Sequence, residues 1–158
     1  MKMAVLRFLL IAGIVLVSSC TTEEKNPSES ILAENVISLE VQLADLLNKH
    51  RESRGLGELQ LNVIAYEVAN EHNDYMIAQG KLSHDNFKNR ASKIYSGTNA
   101  KEIGENVGKN FQTAEEALDW WLNSTSHREN IESDFTHTAI SVKKDGKGNL
   151  YYTNIFFK

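Results

Sequence analysis

Three short stretches of this sequence carry side chains able to do chemistry. Leu82-Ser83-His84-Asp85 offers an imidazole, and Gly104-Glu105-Asn106 a carboxylate. Trp121-Leu122-Asn123-Ser124-Thr125-Ser126-His127-Arg128 adds a hydroxyl and a second imidazole. A neutral imidazole ligates a divalent metal and an imidazolium does not. His127 is expected in the first turn of a helix, where the positive end of the dipole favours the neutral ring. Glu105 beside two histidines would accept hydrogen bonds from their N–H groups and orient both rings. Two readings of these residues stay open. One is a divalent cation, zinc first, on His84 and His127, with water or a partner completing its coordination. The other is a buried polar network of Glu105 and the histidines that pins sheet to helices.

Several chemistries are excluded. The chain has no H-E-x-x-H, no G-x-S-x-G, no phosphate-cradling glycine loop and no calcium-loop pattern. Its single cysteine rules out an intrachain disulfide framework and every multi-cysteine metal site. Seventeen basic against twenty-one acidic residues give a net charge of −4, so nothing drives binding to a phosphate backbone and no nucleic-acid partner is expected. At 158 residues, 41% hydrophobic and 24% charged, the chain holds one folded domain with a short attachment.

The attachment is at the front. Lys2 and Arg7 precede the ten-residue apolar run Phe8 to Val17, and Ser18 and Ser19 are the small residues expected before a processing site. Ten apolar residues are too few to span a bilayer, which needs about 20. Cys20 follows directly, and Leu16-Val17-Ser18-Ser19-Cys20 resembles a bacterial lipobox. Residues 1–19 are therefore expected to be removed as a lipoprotein signal peptide, with Cys20 taking a diacylglycerol. That thioether removes a thiol exposed to an oxidising compartment, and two or three acyl chains anchor a protein almost permanently. Without residues 1–19 the charge is −6, so attachment to the membrane would be covalent rather than electrostatic. Residues 20–35, including the polar run Thr21 to Ser30 with the only proline, read as a flexible tether. Residues 36–158 are the domain.

The elements that must position the candidate residues follow from periodicity and caps. Leu43, Leu46, Leu47 and His50 predict a helix over Val36–Ser53, stopped by Gly55. Asn62 caps a second helix to Gln79, ended by Gly80, with Ala65, Val68, Ala69, His72 and Met76 as its buried stripe. On that stripe His72 reads as a satisfied core histidine, and His50 is given no chemistry. Phe87 to Tyr95 predicts a short third helix, with Ser96 to Asn99 as a loop. Lys101 to Lys109 reads as extended. Thr113-Ala114-Glu115-Glu116 is a capping box opening a helix with Ala117, Trp120, Trp121 and Ser124 on its face, and Ser126 to Glu129 is a second box starting a new helix at His127. Thr138 to Lys143 and Leu150 to Phe157 read as strands joined by the turn Asp145 to Asn149. Lys143, Lys144 and Lys147 read as turn charges only. Asn48 and Arg51 are expected to satisfy loop carbonyls, and Arg128 and Asn130 to be structural. Helices first and a terminal hairpin last make the class α+β.

Taken in order, Asn48-x-x-Arg51, Gly55-Leu56, Ser83-His84, Gly104-Glu105-Asn106, Trp121-x-x-Ser124-x-x-His127-Arg128 and a terminal aromatic strand resemble the CAP superfamily of cysteine-rich secretory, antigen 5 and pathogenesis-related proteins, its bacterial branch above all. The resemblance covers about residues 36–158. It implies a three-layer α-β-α sandwich with a central antiparallel sheet, and a cleft where two histidines and two acids converge. Carried over, the histidines are His84 and His127 and the first acid is Glu105. The second acid's position holds Ser124, which weakens any mechanism needing paired carboxylates. A later Gly-x-Gly is replaced by Thr138-Ala139-Ile140-Ser141.

Three functions compete. In the first, the domain is a non-enzymatic binding module whose cleft (His84, Glu105, Ser124 and His127) takes a lipid, a sterol or another extracellular ligand. A hydrolase is the second, with Ser124, His127 and Glu105 as nucleophile, base and orienter. The third is a purely structural envelope protein. All three place the chain outside the cytoplasm, lipid-anchored to the bacterial cell envelope at the outer membrane or cell surface.

Overall fold

The computed structural model describes residues 33–158. The leader, Cys20 and the tether through Leu32 lie outside the described residues. In chain order the elements are β1 (Glu34–Asn35), α1 (Ile37–Ser53), β2 (Gln60–Leu61), α2 (Val63–Gln79), α3 (Phe87–Thr98), β3 (Ile103–Lys109), α4 (Ala114–Leu122), α5 (Thr125–Glu132), β4 (His137–Lys144) and β5 (Leu150–Phe157). Glu34 and Asn35, assigned to the tether from sequence, pair with Lys144 and Lys143 and so form part of the sheet.

Most helix ends follow their caps. The Asn62 side chain accepts the Ala65 N–H at 3.0 Å, and Gly80 closes α2 in the left-handed region at φ 67°. Thr113 accepts the Glu116 N–H at 3.1 Å, but the Glu116 carboxylate reaches the Gln112 N–H at 2.7 Å rather than that of Thr113. Two ends differ from expectation. Helix α3 continues through Ser96 and Gly97 to Thr98 and is stopped by Asn99 at φ 59°, so the expected loop is its last turn. Helix α5 is capped at Ser124, not Ser126, with the Arg128 N–H bonded to the Ser124 carbonyl at 2.9 Å. His127 becomes the third helical residue and remains in the first turn.

The sheet runs β1-β4-β5-β3, antiparallel along that path, and β2 adds a two-residue parallel pairing to β4. Alternation along the strands fixes the layers. Ile140, Val142, Tyr152 and Phe156 face Leu43 and Leu47 of α1, Trp121 of α4 and Ile131 of α5. Ala139, Ile155 and Phe157 face Ala65, Val68 and Ala69 of α2 and Ile94 of α3. The result is an α-β-α sandwich with every residue of β5 buried. Each large apolar side chain so buried contributes about 1.5–3 kcal/mol. Lys143, read from sequence as a turn charge, instead sits on the α2 face of β4, buried, with Nζ 2.7 Å from both carboxylate oxygens of Asp74.

Arg51 bonds the carbonyls of Gly57, Ile131, Ser133 and Phe135, while Asn48 bonds the main chain of Leu59 in both directions. These two side chains tie α1 to the segments flanking α5 and β4. Strand β3 ends the sheet path, and the candidate residues gather around that edge.

Candidate functional site

Glu105 points from β3 toward α2 and α3 and is buried, 6% exposed. A buried carboxylate is tolerated only when its lone pairs are matched. Here Arg90 of α3 donates from Nε to Oε2 and from Nη2 to Oε1, each at 2.7 Å, and His84 Nδ1 lies 2.8 Å from Oε1. His72 Nε2 stands 3.9 Å from the same oxygen. Burial by itself pushes the Glu105 carboxyl up. The bonds from His84 and Arg90 outweigh it, and the group ends below the ordinary carboxylate value.

Because an ionised carboxylate only accepts, His84 Nδ1 must carry the proton. In the neutral ring this leaves Nε2, on a half-exposed side chain, as the nitrogen with the lone pair. The loop presenting that ring is clamped on both sides. His72 Nε2 donates to the Ser83 carbonyl at 2.8 Å, and Arg90 Nη1 donates to the Asp85 carbonyl. Burial lowers the pKa of His72 and Glu105 raises it in part; the net is downward, so the ring is neutral with its proton on Nε2.

His127 comes from the other layer. Its carbonyl accepts from Asn106 Nδ2 at 3.0 Å, while Asn130 donates to the Glu105 carbonyl and to Asn106 Oδ1. Gly104 makes room for this packing, since a Cβ there would lie 2.7 Å from Asn130 Oδ1. The two imidazoles thus meet around the edge of β3, ring centroids 6.5 Å apart and 30° from parallel. Trp120, 45% exposed, also packs against His127, ring centroids 5.1 Å apart. Burial first and the nearby His84 second lower the His127 pKa. Its Nδ1 is buried without a partner among the described residues.

The structure therefore brings His84, Glu105 and His127 to one place, but not with the carboxylate between the rings. Glu105 bonds His84 and leaves His127 alone. Ser124 is apart: it caps α5 without a side-chain bond, and no hydrogen bond joins its hydroxyl to His127 or Glu105 among the described residues. An open hollow of about 290 Å³ is lined by His84, Phe87, Ile103, Gly104, Glu105 and Asn130, and neither His127 nor Ser124 is part of its lining. For a divalent ion the donors on offer are two imidazoles. No group of three or more His, Cys, Asp or Glu among the described residues is placed to hold a metal, and Glu105 is committed to Arg90. The donors on offer are the Nδ1 of His127, buried and unpartnered among the described residues, and the outward Nε2 of a neutral His84, fewer than a closed zinc site needs.

Arg90 was missed from sequence, and His72 was read only as core. Arg90 lies on the inward stripe of α3 with Ala91 and Ile94. An arginine on an apolar stripe calls for a buried acid, which is the signal that could have found it.

A three-layer sandwich with two histidines meeting around one edge strand defines the class. The family model for CAP, the cysteine-rich secretory protein family, matches residues 44–156, and the chain belongs to that family. An uncharacterized membrane protein of Bacillus subtilis (strain 168), YlbC, is 32% identical over 125 residues, which cover 75% of this chain and 34% of that protein. This chain spans about a third of that relative's length. An outer surface protein of Borrelia burgdorferi superposes with a TM-score of 0.72 at 17% identity, over 80% of this chain and 98% of that one. An extracellular protein containing a SCP domain from Bacillus anthracis gives 0.68 at 26% identity, over 77% and 41%. No described helix is long and apolar enough to cross a membrane.

Proposed function

We propose that the protein is a non-enzymatic binding module of the outer bacterial envelope, held by a diacylglycerol on Cys20, with the His84–His127 cleft as its ligand site. One observation carries this reading. Glu105 fixes His84 through Nδ1, so a free Nε2 stands on a half-exposed ring 6.5 Å from the ring of His127. A divalent cation, zinc first, joined to both rings would leave open coordination positions for a lipid, sterol or other extracellular ligand. The names of the relatives, an extracellular protein, an outer surface protein and a membrane protein, support the location. Hydrolysis has weaker support, because among the described residues no hydrogen bond joins the Ser124 hydroxyl to a base.

The test is metal analysis of the full chain after equilibration with zinc and dialysis, beside His84→Ala/His127→Ala. One zinc per chain is expected in the first and none in the second, with matching circular dichroism. Equal zinc in both would remove the reading. Mass spectrometry of the chain from a bacterial envelope should find Cys20 diacylated and residues 1–19 gone.

A further inference from the structure

Seven large apolar side chains among the described residues are exposed, and four of them ring a single groove on the opposite edge of the sheet. Ile37 and Val41 (both 54% exposed) come from the first turns of α1, Leu61 (71%) from β2 and Val63 (69%) from the start of α2. With Tyr66 and Ile140 they enclose about 460 Å³, within the range of small-molecule pockets.

A buried carboxylate is part of the lining of this groove. Glu40, 7% exposed, accepts from Asn35 Nδ2 at 2.8 Å and the Val142 N–H at 2.9 Å on Oε1, and from the Tyr66 hydroxyl at 2.8 Å on Oε2. All three donors are neutral. No Lys, Arg or His among the described residues lies within ion-pair distance of Glu40, whereas Glu105 and Asp74 each have a basic partner there. A carboxylate offers about four acceptor sites, so Oε2 retains one.

The adjoining strand edge narrows the occupant. Strand β2 covers His137 and Thr138 of β4, and β1 covers Lys143 and Lys144. The outward groups of Val142 are taken by Glu40 and Val36, and the Thr138 carbonyl by Asn62. Among the described residues, Ile140, two residues from each, is the one outward ladder position left between them. A single position is too short for a peptide strand to add to the sheet. What remains is an apolar body that brings hydrogen-bond donors and a positive charge.

We infer that this groove binds a small apolar molecule bearing a protonated amine, its hydrocarbon against Ile37, Val41, Leu61 and Val63 and its ammonium on Glu40. The site is independent of the histidine cleft.

Calorimetry on the full chain with octylammonium, octanoate and 1-octanol tests it. Octylammonium is expected to bind at least tenfold more tightly than the other two. Glu40→Gln should bring octylammonium down to the affinity of octanol, and Leu61→Lys, an exposed position that cannot compromise the core, should abolish octylammonium binding. His84→Ala/His127→Ala should leave it unchanged. Thermal melting checks that Glu40→Gln is folded, and if it is not, Leu61→Lys decides. Equal affinity for the ammonium and the alcohol, or no binding of octylammonium because another segment of the chain fills the groove, would overturn the inference.

Discussion

Glu40 and Glu105 are the same residue buried to nearly the same degree at opposite edges of one sheet, yet they are held by different means. Glu105 is locked by a guanidinium fork and an imidazole. Glu40 is surrounded by an amide, a main-chain N–H and a phenol, all neutral. Burying a carboxylate is costly in both places. At Glu105 a fixed positive charge offsets the cost, leaving the site rigid and its outward imidazole aimed. At Glu40 the offset comes, among the described residues, from dipoles alone, and the carboxylate lines a groove open to solvent. The first arrangement suits a pre-set ligand position, and the second suits a site that discriminates by charge.

The largest effect should come from breaking the fork. Arg90→Met leaves Glu105 buried beside an apolar chain and is expected to lose about 3–5 kcal/mol of stability in urea unfolding. Arg90→Met/Glu105→Leu removes both charges and should lose clearly less than the single variant. If the double variant were the worse of the two, the ion pair would not be what Arg90 contributes. Tyr66→Phe breaks the neutral counterpart. It removes one donor to a charged acceptor and should cost about 1.5–3 kcal/mol, below Arg90→Met. A larger loss than Arg90→Met would invert the comparison.

Acid should act on the histidines and on Glu105 in turn. The folded pKa values of His72 and His127 lie below the ordinary imidazole value, and that of Glu105 below the ordinary carboxylate value. In each case the unfolded chain binds more protons between the two values, so stability rises with pH. The contribution of the histidines is complete above about pH 6.5 and is lost as pH falls from there through their folded values. That of Glu105 is complete above about pH 4.3 and is lost as pH falls through its folded value. Urea midpoints measured from pH 8 to 3 should decline in two stages, and a flat profile between pH 7 and 5 would contradict the neutral, buried state of the two rings.

What the sequence shows of this arrangement, and what it conceals, follows from range. Asn62, Gly80 and Gly55 announce helix ends because each acts within four residues of itself. The α5 cap was harder, since Ser124, Thr125 and Ser126 are all competent caps and the choice depends on where Trp121 packs and where Arg128 finds its carbonyl. Lys143 looked like a turn charge because its partner Asp74 stands on a helix 69 residues away. The same limit hid Arg90 and half of His72, whose roles exist only once α2, α3 and β3 are side by side. Ordered motifs brought His84, Glu105 and His127 into view through a family resemblance, but not the fact that Glu105 bonds His84 and not His127.

His84→Ala should give the smallest change in stability, and for that reason it distinguishes a positioned ligand from a structural prop. The ring is half exposed, and without it Glu105 Oε1 keeps Arg90 Nη2 at 2.7 Å while water replaces Nδ1. A loss of about 0.5–1.5 kcal/mol is expected. The effect on His127 is more telling. Burial is the larger cause of its lowered pKa and His84 the smaller, so removing His84 should move the His127 titration upward without restoring the ordinary value. Proton NMR of the His127 ring reads this directly. If His84→Ala destabilised the fold as much as Arg90→Met, the imidazole would be part of what holds Glu105 in place, and its outward nitrogen would be incidental to that task.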